Sequence, residues 1–164
     1  DSLSQLSTEV GRILVGSKFK LSTVESCTGG WIGKVLTDVA GSSSWYECGY
    51  VTYSDASKIR LVGISPKVLR QSGAVSERVA QEMAQCSFAY TGADIALAVT
   101  GIAGPGGGTQ EKPVGTVWFS WAARTGACKT ERKVFAGDRK SIREQTVRFA
   151  LSTLIGFLEE DLDH

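Results

Sequence analysis

Apolar positions recur at helical spacing in some stretches of the chain and run together in others, and these two patterns divide it into elements. Leu3, Leu6, Val10, Ile13 and Leu14 give an amphipathic first helix to about Ser17. Leu21 to Val24, with two β-branched residues, predicts a strand. Trp31, Val35 and Val39 mark one face of a helix from Trp31 to Ala40, and Gly41 to Ser44 form a loop. Trp45 to Tyr53 is rich in aromatic and β-branched residues and predicts a second strand. Ser54 or Asp55 then caps a short helix through Leu61, and Ser65-Pro66 opens another that Ser72-Gly73 ends. Ser76 caps a longer helix to about Tyr90, with Val79, Met83, Cys86 and Tyr90 on one face and Gly92 as its stop. Asp94 to Thr100 is nearly continuous in apolar residues, as in a central strand covered on both faces. Gly115 to Ala123 and Cys128 to Phe135 form a hairpin around Thr125-Gly126. Asp138 caps a last helix whose buried stripe is Ile142, Phe149, Thr153, Leu154 and Phe157.

Helices at both ends and between strands, with one hairpin, imply a three-layer α/β/α fold on a mixed β-sheet. The 164 residues are expected to form a single domain, residues 1–164, and 42% apolar with 21% charged residues is the balance of a soluble globular protein. A formal charge of +1 argues against nucleic acid or a membrane surface as an electrostatic partner. No segment approaches the roughly 20 apolar residues of a membrane span, and no signal-peptide pattern opens the chain, so a cytoplasmic protein is expected. The aromatic set Trp31, Trp45, Tyr46, Trp118 and Trp121 exceeds the obvious needs of a small core, and some of it is expected in a homo-oligomer contact.

The chemistry concentrates where the first strand meets the second helix. Between them lie Ser26, Cys27, Thr28, Gly29 and Gly30. Such a passage exposes the first N–H groups of the helix, which suit an anion, and holds a hydroxyl or thiol beside them, as a nucleophile with an oxyanion hole requires. An ordinary Ser/Thr helix cap uses the same residues. A second small-residue loop follows Thr100: Gly101 opens a run with five glycines in eight residues, lacking both the P-loop and the dinucleotide fingerprint. If the two strands are parallel neighbours, these loops line one crevice at their carboxyl ends. The scattered Cys27, Cys48, Cys86 and Cys128 form no metal or redox motif. The single histidine is His164, so a Ser-His-Asp or Cys-His site needs that terminus. The remaining bases are Lys, Tyr, Asp and Glu. Lys58, in the polar cluster Tyr53 to Lys58, becomes a base if burial disfavours its ammonium form, or it is simply a solvated surface lysine. Arg139 and Arg143, four apart on one helix face, suit a phosphate or carboxylate, or a solvated face.

Five blocks carry a resemblance that runs in order from about Leu6 to Leu158: Glu25-Ser-Cys-Thr-Gly-Gly30, Tyr53-Ser54 with Lys58, Gly73-Ala-Val-Ser-Glu77, Thr100-Gly-Ile-Ala-Gly-Pro105 with Gly107, and Lys112-Pro-Val-Gly-Thr-Val117. Together they resemble the CinA C-terminal family, the family of bacterial nicotinamide-nucleotide amidases, in its stand-alone form. The resemblance implies hydrolysis of the carboxamide of nicotinamide mononucleotide to nicotinate mononucleotide and ammonia, in pyridine-nucleotide recycling, by a Ser/Lys dyad with Ser26 as nucleophile and Lys58 as base. It places Tyr53 with the catalytic groups. It places Cys27, Thr28, Gly29, Gly30, Thr100, Gly101, Arg139 and Arg143 around a small-molecule substrate, and it implies no metal and no cofactor. Two positions depart from the family's usual pattern: Val24 stands where it has alanine, and Asp55 where it often has asparagine. A carboxylate close to Lys58 favours the ammonium form, so the alternative is a paralogue that binds a nucleotide or regulates a partner without turnover. A further alternative makes Cys27 the nucleophile, its thiolate stabilised by the helix N-terminus.

Overall fold

The structure, a computed structural model, describes residues 1–162; His164 lies outside them. Five strands, β1 (Leu21–Glu25), β2 (Tyr46–Val51), β3 (Ile95–Gly101), β4 (Thr116–Ala123) and β5 (Cys128–Val134), form one sheet in the order β2-β1-β3-β4-β5. β1 runs parallel to β2 and β3, while β3-β4 and β4-β5 are antiparallel. The mixed three-layer α/β/α architecture expected from the hydrophobic pattern is the one formed. Because β1 leads to β2 on one side and to β3 on the other, its carboxyl end is a topological switch point, where open α/β sheets bind ligands. Glu25 is level with both Val51 and Val99, so three strand ends open at one place.

The two faces of the sheet are built from residues of different size. One carries Leu21, Leu97, Val99, Phe119 and Trp121 beneath α1 (Leu3–Ser17), α2 (Trp31–Thr37) and α6 (Arg139–Gly156). The other carries Val24, Ala96, Ala98 and Ala122 beneath α3 (Asp55–Val62), α4 (Pro66–Ser72) and α5 (Glu77–Ser87). Alanine at the second face lets helices approach the sheet closely, and large side chains at the first fill a deeper layer. The caps fall on Ser54, Ser65, Ser76 and Asp138, each accepting a backbone N–H three residues on.

Several boundaries differ from the hydrophobic reading. α2 stops at Thr37, whose hydroxyl donates to the Gly33 and Lys34 carbonyls, and Ser42–Ser44 is a 3-10 turn. α5 ends at Ser87, and Phe88, Ala89 and Tyr90 follow in tighter turns with bonds to the third residue back, leaving Tyr90 exposed. β2 is shorter than expected because Trp45 turns into the core, where its ring lies over Gly11 so closely that a Cβ there would stand 2.9 Å from it. In α6 the deepest side chains are Ile142, Thr146, Val147, Ala150, Leu151 and Leu154, with Phe149 and Thr153 half-buried. Phe149 instead meets Phe119, Trp121 and Phe135 edge-on. Of the aromatic set, Trp45 and Trp121 belong to the core, and Trp31, Tyr46 and Trp118 are half-buried. Among the described residues no helix is long and apolar enough to cross a membrane.

Candidate active site

Backbone bonds at the three strand ends set the site. The Ser26 amide donates to the Val99 carbonyl at 3.1 Å, so the turn leaving β1 stays tied to β3. The Thr52 amide donates to the Glu25 carbonyl at 2.8 Å, which carries the β1-β2 pairing past the end of the strand. Ser54 then caps α3, and one turn in, Lys58 shares the buried face of that helix with Val62. Lys58 is 1% exposed and Ser26 8% exposed. The Lys58 Nζ lies 3.1 Å from the Ser26 Oγ and 2.8 Å from the Thr52 carbonyl oxygen. Among the described residues no carboxylate forms an ion pair with this amine. Burial pushes the Lys58 ammonium below the ordinary lysine range, and the charge of Asp55 and the Cys27 thiol oppose that shift without reversing it.

The turn that carries Ser26 is clamped from two sides. Glu25, 2% exposed, accepts hydrogen bonds from the Thr28 hydroxyl at 2.5 Å and from the amides of Ile32 at 2.9 Å and Gly33 at 3.0 Å. The first amides of α2, expected to face an anion, are thus taken by a carboxylate of the chain itself. From α6, Arg143 donates through Nε to the Cys27 carbonyl and through Nη2 to the Thr28 carbonyl, both at 3.0 Å, and its guanidinium lies over the Trp31 ring. Removing the Glu25 carboxylate strands two helix amides and a hydroxyl. Glu25→Ala is therefore expected to lower unfolding stability by about 3 kcal/mol, read as the shift in urea midpoint, with Glu25→Gln roughly half as damaging.

Cys27 lies in the same turn, and its burial drives the thiol up to about 12. At pH 8 only about one such thiol in ten thousand is ionised. With Glu25 filling the helix N-terminus as well, the thiolate reading of Cys27 loses both of its physical supports. Mass spectrometry after brief iodoacetamide treatment is expected to find the exposed Cys128 labelled and Cys27 intact; equal labelling would contradict this packing.

A cavity of about 210 Å³ collects Ser26, Cys27, Tyr53, Lys58, Thr100, Gly101 and Arg139 from the expected set, together with Asp55, Ala74, Val75 and Ala103. Thr28, Gly29, Gly30 and Arg143 line a different cleft of about 380 Å³, with Trp31 and Lys34. The two arginines therefore part company. Arg139 spans the cavity rim, donating to the Gly104 carbonyl at 2.7 Å and the Tyr53 hydroxyl at 2.9 Å, whereas the fork of Arg143 is engaged by the turn. Thr100 also serves the walls, its hydroxyl donating to the Ala74 carbonyl at 2.9 Å. The glycine-rich loop is packed rather than slack: a Cβ on Gly108 would stand 2.7 Å from the Val114 amide nitrogen, and Lys112 reaches across to the Ser72 carbonyl at 3.0 Å. Sequence reasoning assigned no role to Glu25 or Thr52. The only local signal for Glu25 is a carboxylate closing a strand just ahead of a glycine turn, and the Thr52 carbonyl carries none.

Residues 3–158 match the family described as the CinA C-terminal domain. The chain is 50% identical over 152 residues to the nicotinamide-nucleotide amidohydrolase PncC of Escherichia coli K12, covering 93% of this chain and 92% of that protein. It is 45% identical over 155 residues to the nicotinamide-nucleotide amidohydrolase PncC of Pseudomonas putida, covering 94% and 96%. The crystal structure of competence damage-inducible protein A (ComA) from Klebsiella pneumoniae superposes with a TM-score of 0.94 at 41% identity, over 98% of this chain and 99% of that one. On the family match, and on relatives alike over almost their whole length, the chain belongs to the CinA C-terminal domain family.

Proposed function

We propose that this protein hydrolyses the carboxamide of nicotinamide mononucleotide to nicotinate mononucleotide and ammonia through a Ser26/Lys58 dyad, as a step of pyridine-nucleotide recycling. The observation that carries the proposal is the buried Lys58 amine, 3.1 Å from the Ser26 hydroxyl in a cavity open to a ligand. The names of relatives 50% and 45% identical, both nicotinamide-nucleotide amidohydrolases, support a substrate of that class.

A neutral amine has two N–H bonds and one lone pair. One N–H goes to the Thr52 carbonyl, and the lone pair is left to accept the Ser26 hydroxyl proton. In the first half-reaction the Ser26 Oγ attacks the carboxamide carbon as Lys58 takes its proton. The Cys27 amide, which donates to no oxygen among the described residues, is the oxyanion donor assigned here. The C–N bond then breaks, and ammonia leaves with the proton returned by Lys58. In the second half-reaction Lys58 takes a proton from water, the hydroxide attacks the acyl-serine, and nicotinate mononucleotide departs as Ser26 regains its hydrogen. The dyad closes both half-reactions with side chains of this chain alone. Arg139 at the rim is the residue assigned here to the substrate's phosphate, with Tyr53 accepting from its guanidinium and orienting it.

The deciding measurement is ammonia release from nicotinamide mononucleotide by the purified protein. Turnover supports hydrolysis. Thermal stabilisation by the nucleotide without turnover instead favours the binding or regulatory paralogue.

A further inference from the structure

We propose that Asp55 reads the positive charge of the pyridinium ring and selects cationic carboxamides over neutral ones of the same shape. The inference rests on the amide-hydrolase reading above and deepens it by naming what distinguishes one nicotinamide nucleotide from another at the cavity.

Among the described residues Asp55 is the only acidic side chain lining the cavity of Ser26 and Lys58. It is exposed, and among the described residues no hydrogen bond or ion pair engages its carboxylate. The other ionisable groups of the cavity wall have hydrogen-bond partners within the chain: Arg139 donates to the Gly104 carbonyl and the Tyr53 hydroxyl, and Lys58 lies against Ser26 and the Thr52 carbonyl. A free carboxylate at the mouth of a site is a receptor for positive charge, and its first-turn position in α3 holds it there, since a helix N-terminus favours an acid.

The position also carries a penalty that a cationic ligand removes. The charge of Asp55 favours the ammonium form of Lys58 and so works against the base. An N-alkylated pyridinium ring lying between them offsets that charge and so removes the bias toward the ammonium. A neutral ring leaves the penalty in place. One carboxylate therefore acts on binding and on the readiness of the base in the same direction.

The test compares nicotinamide mononucleotide with its reduced 1,4-dihydro form, which keeps the phosphate, ribose and carboxamide but has an uncharged ring. Dissociation constants are measured by calorimetry on Ser26→Ala protein, with and without Asp55→Asn, so that nothing turns over. With Asp55 present, the oxidised form is expected to bind about three- to fivefold more tightly than the reduced form. Asp55→Asn is expected to weaken the oxidised form by about that factor and leave the reduced form unchanged. Equal weakening of both forms, or no change in either, overturns the proposal. Binding by the Ser26→Ala protein with no turnover by wild type overturns hydrolysis alone, and the affinity ratio still decides the role of Asp55. Failure of the oxidised form both to bind and to turn over sinks both readings together.

Discussion

Ser26→Ala is expected to lower ammonia release from nicotinamide mononucleotide by about four orders of magnitude or more, while the protein unfolds at nearly the same urea concentration. The two halves of this expectation have separate origins. The position of residue 26 is set by its own amide on Val99, by its carbonyl accepting from Gly29, and by the clamp of Glu25 and Arg143 on the turn that follows. None of these uses the hydroxyl. What the substitution removes is the one oxygen within reach of the Lys58 amine that can form an acyl bond. Lys58 keeps the Thr52 carbonyl, and since the Ser26 hydroxyl meets the lone pair of the neutral amine, its loss strands no further N–H donor. The result also separates Ser26 from its neighbour. If Cys27 carried the chemistry, Ser26→Ala protein would retain activity within about tenfold of wild type, and that outcome would sink the dyad.

How far the chain announces this site depends on the range of each contact. The strand-to-helix turn at Ser26 and the small-residue loop after Thr100 are visible because their signals are local: a β-branched run, then residues that suit turns. That both loops meet follows from the apolar character of β3, which marks a central strand beside β1. The Ser54 cap is equally legible, and it fixes Lys58 one turn into α3. Periodicity cannot say which face of that short helix turns inward, however. Leu61 is exposed and Lys58 buried, the reverse of their hydrophobicity, and only the packing of Val62 decides it. Arg143 is read from sequence as an anion ligand because its fork is the visible feature. Its partners are carbonyls of Cys27 and Thr28, more than a hundred residues away, and a carbonyl is the same at every residue. The helix ends at Thr37 and Ser87 escape for the opposite reason, since single hydroxyls and tightened turns there override a longer apolar pattern.

Lys58→Ala is expected to lower kcat/KM by about as much as Ser26→Ala, and the double variant no further, because the two groups act as one unit. Lys58→Arg is expected to be equally inactive: a guanidinium keeps its proton at any working pH and cannot accept one from Ser26. Under the proposed dyad only the neutral amine is competent, so kcat/KM is expected to fall about tenfold per pH unit once the pH drops below the pKa of Lys58 in the fold. Burial has lowered that pKa, which moves the falling limb toward neutrality. A pyridinium substrate lowers it again, so the limb in kcat is expected at lower pH than the limb in kcat/KM. The same shift appears in stability. An unfolded lysine holds its proton up to about pH 10.4, whereas the folded one releases it earlier. Between those two values the unfolded chain binds more protons, so stability rises with pH across that window and the penalty stands in full below it. Lys58→Met, with similar bulk and no amine, lacks this term. Urea midpoints measured across pH are therefore expected to show wild type gaining on Lys58→Met as the pH climbs through the window. A difference that stays constant would mean that the amine titrates alike in the folded and unfolded chain, and a lysine that the fold does not hold neutral could not serve Ser26 as a base.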